Sequence, residues 1–247
     1  MIVYKSLKEI EKIRAAGAIA AKTLKLLFEN IRPGITTAEL DRLADEFIRS
    51  QDAIPSFKDY NGYPASICIS IDHEVVHGIP GKRTLKDNQV VGIDVGVYKN
   101  GYHGDSAWTI PVGKIDNGIR KHLKVGQECL WRGIEKARVG NRIGDIGQAI
   151  QLHAEKNGFS VVRDLVGHGV GKELHEEPQV PHYGKADTGL LLKPGLVIAI
   201  EPMINEGVYQ VKMLDDNWTI VTADGKRSVH FEHTVAVLED GSEILTK

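Results

Sequence analysis

Apolar residues recur at helical spacing twice near the start of the chain. Ile10, Ile13, Gly17, Ala20, Leu24, Leu27 and Phe28 share one face, and Leu40, Leu43, Ala44, Phe47 and Ile48 form a second stripe. Ser6-x-x-Glu9 and Thr36-x-x-Glu39 are capping boxes that set where each helix begins. Pro33-Gly34 ends the first. The period then changes to strand-like. SICISI (66–71) and the runs 90–97 and 102–112 read as strands, the last two joined through Lys99, Asn100 and Gly101. Helical spacing returns at 116–138 and 144–158, carried by Leu123, Cys129, Leu130, Ile134 and Ala137, then by Ile143, Ile146 and Ile150. Strand runs follow at 196–200, after the turn that holds Trp218, and at 228–239. A helix pair followed by strands thus occurs twice, although no sequence repeat proves a duplication.

Composition narrows the class. With 247 residues, 42% hydrophobic and 26% charged, the chain is ordinary globular material rather than disordered or fibrous. Net charge is −2 and no Lys/Arg run exceeds two residues, so there is no electrostatic case for a nucleic-acid or membrane surface. Cys68 and Cys129 stand in unrelated contexts without a CxxC pair. That excludes a zinc knuckle or a disulfide framework and fits a reducing compartment. The start, MIVYKSLKEIEKI, has no apolar signal region, so a cytoplasmic enzyme is the expectation.

Candidate chemistry concentrates at a few places. In DLVGHGVGKELHEEP (164–178), His168 and His175 stand seven residues apart, and Gly167, Gly169 and Gly171 alternate around the first. That spacing is wrong for two ligands one helical turn apart, and the glycines disfavour a helix. Glycine lets a backbone come close to whatever the adjacent imidazole touches, a metal ion or a substrate. A surface turn with incidental histidines is the other reading. His77, in VHGIP, falls where a strand gives way to a turn, a place where a histidine is more often structural. In the hairpin 90–112, a loop centred on residues 99 and 100 sets Asp94 opposite Asp105 on one face, with β-carbons about 5 Å apart. A tight Asn-Gly turn would instead shift the register by one residue on each strand. Facing carboxylates in an apolar hairpin need a proton or a cation between them, and Gly92, Gly96 and Gly104 suggest room made beside them.

Glu201 ends the apolar run 196–200, and Glu232 lies between Phe231 and the alternation Val235, Val237, flanked by His230 and His233. Charges there are costly unless paired or metal-bound. Asp94, Asp105, Glu201 and Glu232, all read in strand runs, with one histidine make an oxygen-rich set. It suits Mn, Fe or Co and can hold Zn. Four carboxylates exceed the need of one ion. Two ions about 3.5–4 Å apart would use them and generate a hydroxide nucleophile at neutral pH. His77 and His175 would then be free to donate hydrogen bonds to a scissile carbonyl.

The ordered motifs GIDVG, HGDSAWT, GHGVGKELHEEP, AIEPM and FEHTVAV resemble the type I methionine aminopeptidases of the bacterial type, which have no N-terminal extension. The resemblance spans essentially the whole chain. It implies an α+β pita-bread fold, with residues 1–247 as one catalytic domain: a curved antiparallel sheet and pseudo-twofold related helix pairs outside. It also implies removal of an N-terminal methionine when the second residue is small, with two divalent ions (Co, Mn, Fe or Zn) per chain. By motif, Asp94 would bind one metal through both oxygens, Asp105 and Glu232 would bridge, and His168 and Glu201 would complete the coordination of the second ion. Glu201 would also shuttle the proton. His77 would contact the substrate and His175 would polarise the scissile carbonyl. Tyr60, Tyr63, Cys68 and Trp218 would form the methionine pocket, and aromatic faces with a soft sulfur suit a flexible thioether.

At the pocket rim Asn61 departs from many relatives and Leu174 from some, and Gly92 is smaller than the residue of some relatives. A monovalent cation near Ser228 belongs to the same implied set. The N-termini of nascent proteins as substrates, transient ribosome contact, no membrane, a monomeric state and a cytoplasmic location complete the expectation. Such an enzyme would spare its own Met1, because Ile2 is bulky. The rivals are prolidases and Xaa-Pro aminopeptidases, which typically carry an extra N-terminal domain. Creatinase-like hydrolases and non-catalytic pita-bread binding proteins are further rivals, and those lose ligands.

Overall fold

Helices α1 (Leu7–Asn30) and α2 (Thr37–Ser50) begin where the capping boxes place them. The Glu9 and Glu39 carboxylates accept the backbone N–H of Ser6 and Thr36, each at 2.8 Å. Five strands follow: β1 (Ile54–Pro55), β2 (Cys68–Ile71), β3 (Glu74–Val76), β4 (Gln89–Lys99) and β5 (Tyr102–Val112). A second helix pair, α3 (Asn117–Lys136) and α4 (Ile143–Lys156), opens the other half. Its strands are β6 (Ser160–Val161), β7 (Gly167–Gly169), β8 (Glu176–Val180), β9 (Val197–Ile200) and β10 (Met203–Asn205). The chain then runs through β11 (Val211–Met213), β12 (Ile220–Thr222), β13 (Ser228–His230), β14 (His233–Leu238) and β15 (Gly241–Ile244). The computed structural model describes residues 1–247. No helix is long and apolar enough to cross a membrane.

All strand pairings are antiparallel, and they fall into four sheets. In the N-terminal half β4 pairs with β1, β2 and β5; in the C-terminal half the order is β15-β14-β9-β7-β8. Smaller sheets β13-β10-β6 and β11-β12-β3 lie apart from these. Each half has its own core. Leu27, Leu40, Ile48, Ile69 and Ile93 close the first, and Leu130, Ile146, Ile150, Ile198 and Val235 the second. Trp108 packs against both and meets the fully buried Phe231 edge-on, with ring centroids 5.0 Å apart.

The run 228–239, read from sequence as one strand, is two. β13 pairs with β10, the chain then crosses onto β5, and β14 pairs with β9. At the crossing Phe231 bridges Trp108, and the Glu232 N–H donates to the Ala107 carbonyl at 2.8 Å. Hydroxyl side chains stitch the halves here. Ser106 donates to the Glu232 carbonyl at 2.9 Å, Thr109 to the His230 carbonyl at 2.8 Å and Thr234 to the Asp105 carbonyl at 2.7 Å. A change of partner sheet cannot be read from local periodicity, because both segments alternate alike.

The glycines serve packing. A β-carbon on Gly104 would strike the backbone of α1 at Gly17, and one on Gly96 would strike Phe57. On β7, a β-carbon on Gly167 would strike the Ala199 carbonyl and one on Gly169 the Glu177 carbonyl. The close approaches expected at a ligand are therefore approaches to neighbouring strands and a helix.

Candidate active site

The β4–β5 turn sets the first two carboxylates. Asn100 and Gly101, at φ 54° and 84°, make a two-residue turn, so Lys99 pairs with Tyr102. Asp105 then faces Gly96, while Asp94 faces Ala107. The direct Asp94–Asp105 pairing read from a longer loop is corrected to a diagonal one. Positions 94 and 96 share parity, so both carboxylates still project from one face. Glu232 arrives from the crossing segment between β13 and β14. Glu201 stands one residue past β9, where Pro202 ends the ladder. Only Asp94 and Asp105 therefore lie within strands; the two glutamates sit at strand breaks.

These groups meet His168, on β7, at the floor of a cavity of about 580 Å³. Donor atoms of Asp105, His168 and Glu232 lie within 4.8 Å of one another. His168 Nε2 is 3.4 Å from Glu201 Oε1 and 4.0 Å from Asp105 Oδ2. Asp94 lines the same cavity. Burial pushes the Asp105 carboxyl up to about 7. Burial, followed by the charge of Asp105, drives Asp94, Glu201 and Glu232 well above the carboxylate range. Asp94 Oδ1, Asp105 Oδ1 and Glu232 Oε1 are buried without a hydrogen-bond partner. Such orphaned oxygens cost roughly 1–3 kcal/mol each, more when charged. A cation removes both the orphaning and the mutual repulsion, so the residues fit a divalent metal.

His168 presents a free ring nitrogen to these carboxylates. Its Nδ1 lies 2.9 Å from the Gly169 carbonyl, which can only accept, so Nδ1 carries the proton and Nε2 keeps its lone pair toward the carboxylates. Burial, with His175 nearby, brings its pKa down to about 3 and keeps it neutral.

The cavity wall is apolar. Tyr63, Cys68 and Leu174 are buried there with Phe57, and Trp218 covers them. Tyr63 donates its hydroxyl to the Gly78 carbonyl at 3.0 Å and meets Trp218 edge-on at 5.1 Å between centroids. Leu174, expected at the rim, is 1% exposed and belongs to the wall. Its apolar neighbours bury it as the chain turns inward just before His175. Asn61 remains exposed at the mouth. His175 sits at the rim, its Nδ1 2.8 Å from the Tyr60 hydroxyl and its ring centroid 4.3 Å from that of His168. His77 follows β3 with φ 60°, a left-handed conformation uncommon outside glycine. Every site residue expected from the sequence lines this one cavity.

Comparison with known proteins names the class. The sequence profile of metallopeptidase family M24 matches residues 11–239. The chain belongs to that family. Among its M24 relatives, methionine aminopeptidase 1 of Bacillus subtilis is 54% identical over 247 residues, covering 100% of both chains. In structure the chain is similar to methionine aminopeptidase from Rickettsia prowazekii, with TM-score 0.99, 43% identity and 100% coverage of each. It is also similar to a prolidase from Pyrococcus furiosus, with TM-score 0.80 and 26% identity, covering 99% of this chain and 65% of the prolidase. The M24 pita-bread fold accounts for the two helix-and-strand halves.

The sequence reading gave no role to two histidines beside this M24 site: His182, which it did not single out, and His230, which it named only as flanking Glu232. His182 is fully buried, and its Nε2 accepts the Glu201 N–H at 3.0 Å, taking over where the β9 ladder stops. His230 Nε2 lies 3.7 Å from Glu201 Oε2. For His182 a signal was present: Pro178, Val180 and His182 share one parity, and all three are buried.

Proposed function

We propose that this chain is a methionine aminopeptidase, acting on proteins and peptides that begin with methionine followed by a small residue, and that its two halves act as one catalytic unit. One juxtaposition carries the reading. A floor of orphaned carboxylates beside His168 adjoins a wall of Tyr63, Cys68 and Trp218 within one cavity. Aromatic faces and a soft sulfur suit a thioether.

In this reading Asp94, Asp105, His168, Glu201 and Glu232 would hold two divalent ions. Mn, Fe, Co and Zn all suit such donors. Bound ions would supply a hydroxide nucleophile at neutral pH and polarise the scissile carbonyl. Glu201 is the proton carrier: its carboxylate takes the proton shed by the attacking water and hands it to the leaving nitrogen. His182 fixes the Glu201 backbone for that task. His175 donates a ring N–H to the carbonyl oxygen as charge develops there. His77, brought down to about 4 by burial and by His175, is neutral and contacts the substrate from the opposite loop. Tyr60, Tyr63, Cys68 and Trp218 hold the methionine side chain and keep water from it.

Turnover of Met-Ala-Ser against Xaa-Pro peptides tests the reading, after chelation and with Mn or Co restored. Methionine release only with metal supports it. No release under any metal, or preference for Xaa-Pro, overturns it.

A further inference from the structure

Beyond its place in the wall of the methionine pocket, we infer that Tyr60 is a positioning residue. Its hydroxyl donates to His175 Nδ1 and so holds that imidazole in the tautomer whose Nε2–H faces the cavity. The inference rests on the reading of His175 as the group that meets the scissile carbonyl.

The contact is 2.8 Å between the phenol oxygen and Nδ1, and it joins residues 115 apart in sequence. Two directions are possible. If Nδ1–H donated to the phenol, the phenol hydrogen would be left without its protein partner. The ring would then present a bare Nε2 lone pair to a carbonyl oxygen, and two acceptors repel. If the phenol donates, both groups are satisfied and Nε2 carries the proton that a developing oxyanion requires. Burial, with the charges of Glu173 and Asp105, raises the phenol pKa, so Tyr60 keeps its hydrogen.

The turn that carries Tyr60 is built to aim it. Asp59 and Asn61 flank it at φ 65° and 50°, left-handed conformations that persist where the surroundings over-determine them. The Asp59 N–H donates to the Tyr63 carbonyl at 2.9 Å and the Tyr63 N–H to the Tyr60 carbonyl at 2.9 Å, closing the turn on itself. Tyr63 then anchors the turn to the wall through Gly78. His168 makes the contrast. Its Nδ1–H is committed to a backbone carbonyl that can only accept, so its Nε2 is bare. Seven residues apart on one stretch, the two imidazoles carry opposite tautomers, each fixed by what its Nδ1 meets.

The test pairs kinetics with long-range ¹H–¹⁵N spectra of the imidazoles in zinc-loaded protein, with His175 assigned by difference from His175→Gln. Wild-type protein should show His175 as a single Nε2–H tautomer whose Nδ1 accepts a hydrogen bond. Tyr60→Phe keeps the ring and removes only the donor. It should give mixed tautomers and lose roughly 10–100-fold in kcat, the scale of an orienting partner of a site histidine, with KM within about twofold. An Nδ1–H tautomer in the wild type, or an unchanged tautomer in Tyr60→Phe, overturns the inference. So does a raised KM at unchanged kcat, which would leave Tyr60 as pocket wall alone. The spectra need no turnover. Failure of the wild type to release methionine would therefore sink the aminopeptidase reading while the tautomer result still stands or falls separately.

Discussion

The floor and the rim of the cavity are built by opposite means. On the floor, Asp105 and Glu232 are almost fully buried and held by hydroxyl stitches between β5 and the chain that crosses it. Their positions are fixed by the fold, but their oxygens are left unsatisfied. At the rim, Tyr60 lies in a short turn between left-handed Asp59 and Asn61, His77 is itself left-handed, and His175 stands on an irregular bend. There the backbone is costly and the Tyr60–His175 pair is satisfied locally. The floor thus stores electrostatic free energy that a cation releases, and the rim stores conformational free energy that orients donors toward a substrate. Substitutions on the floor should change metal binding and stability, whereas substitutions at the rim should change rate and selectivity.

The strongest break of this contrast is Asp105→Ala. Losing a carboxylate of the proposed metal site should abolish Mn binding in calorimetric titration and take methionine release to background. A variant that still bound metal normally would remove Asp105 from the floor. His175→Ala should behave in the opposite way. Metal affinity should stay within about twofold, while kcat falls ~10²–10³-fold, the scale of one lost oxyanion donor. Loss of metal in that variant would place His175 on the floor and erase the distinction.

How far this division could be read from sequence depends on the range of the interaction. Capping boxes are local, and both set their helices where the sequence put them. Motif order was enough to gather all the expected site residues into one cavity. The Asp94–Asp105 register failed because the tight Asn100-Gly101 turn moves every cross-strand partner by two residues, which keeps the face and changes the pairing. The division of 228–239 into two strands was invisible, since it depends on β5, β9 and β10 offering successive partners to one alternating run. Glycines 96, 104, 167 and 169 announced a close approach without saying to what. Leu174 looked like rim because it precedes His175, but burial follows the turn of the chain and not adjacency.

Stability gives a subtler handle on the floor. Asp94→Asn puts a neutral amide in place of a carboxyl that burial and the neighbouring Asp105 drive well above the carboxylate range, so the metal-free fold no longer has to protonate that group. Without metal the variant should unfold later than wild type, by about 2–4 °C for each kcal/mol relieved. Adding metal should raise the midpoint of the wild type, through binding to the folded state, and leave the variant almost unmoved. Thermal unfolding with and without chelator measures both. A variant less stable than wild type in chelator would mean that Asp94 is satisfied in the metal-free fold and stores nothing.

The smallest expected effect lies in the wall, between floor and rim. Leu174 packs against Tyr63 and Cys68 and precedes His175 directly. Leu174→Phe adds a ring where the substrate thioether should lie, and pocket contacts of this size are worth about 1–3 kcal/mol. KM for Met-Ala-Ser should rise by up to tenfold as the cavity narrows. kcat should hold, because the Tyr60–His175 hydrogen bond does not run through the Leu174 side chain. Steady-state kinetics separates the two parameters. If kcat falls instead, filling the wall displaces His175, and rim orientation depends on core packing as well as on the Tyr60 turn. The division would then have three interlocked parts, with Leu174 as the joint.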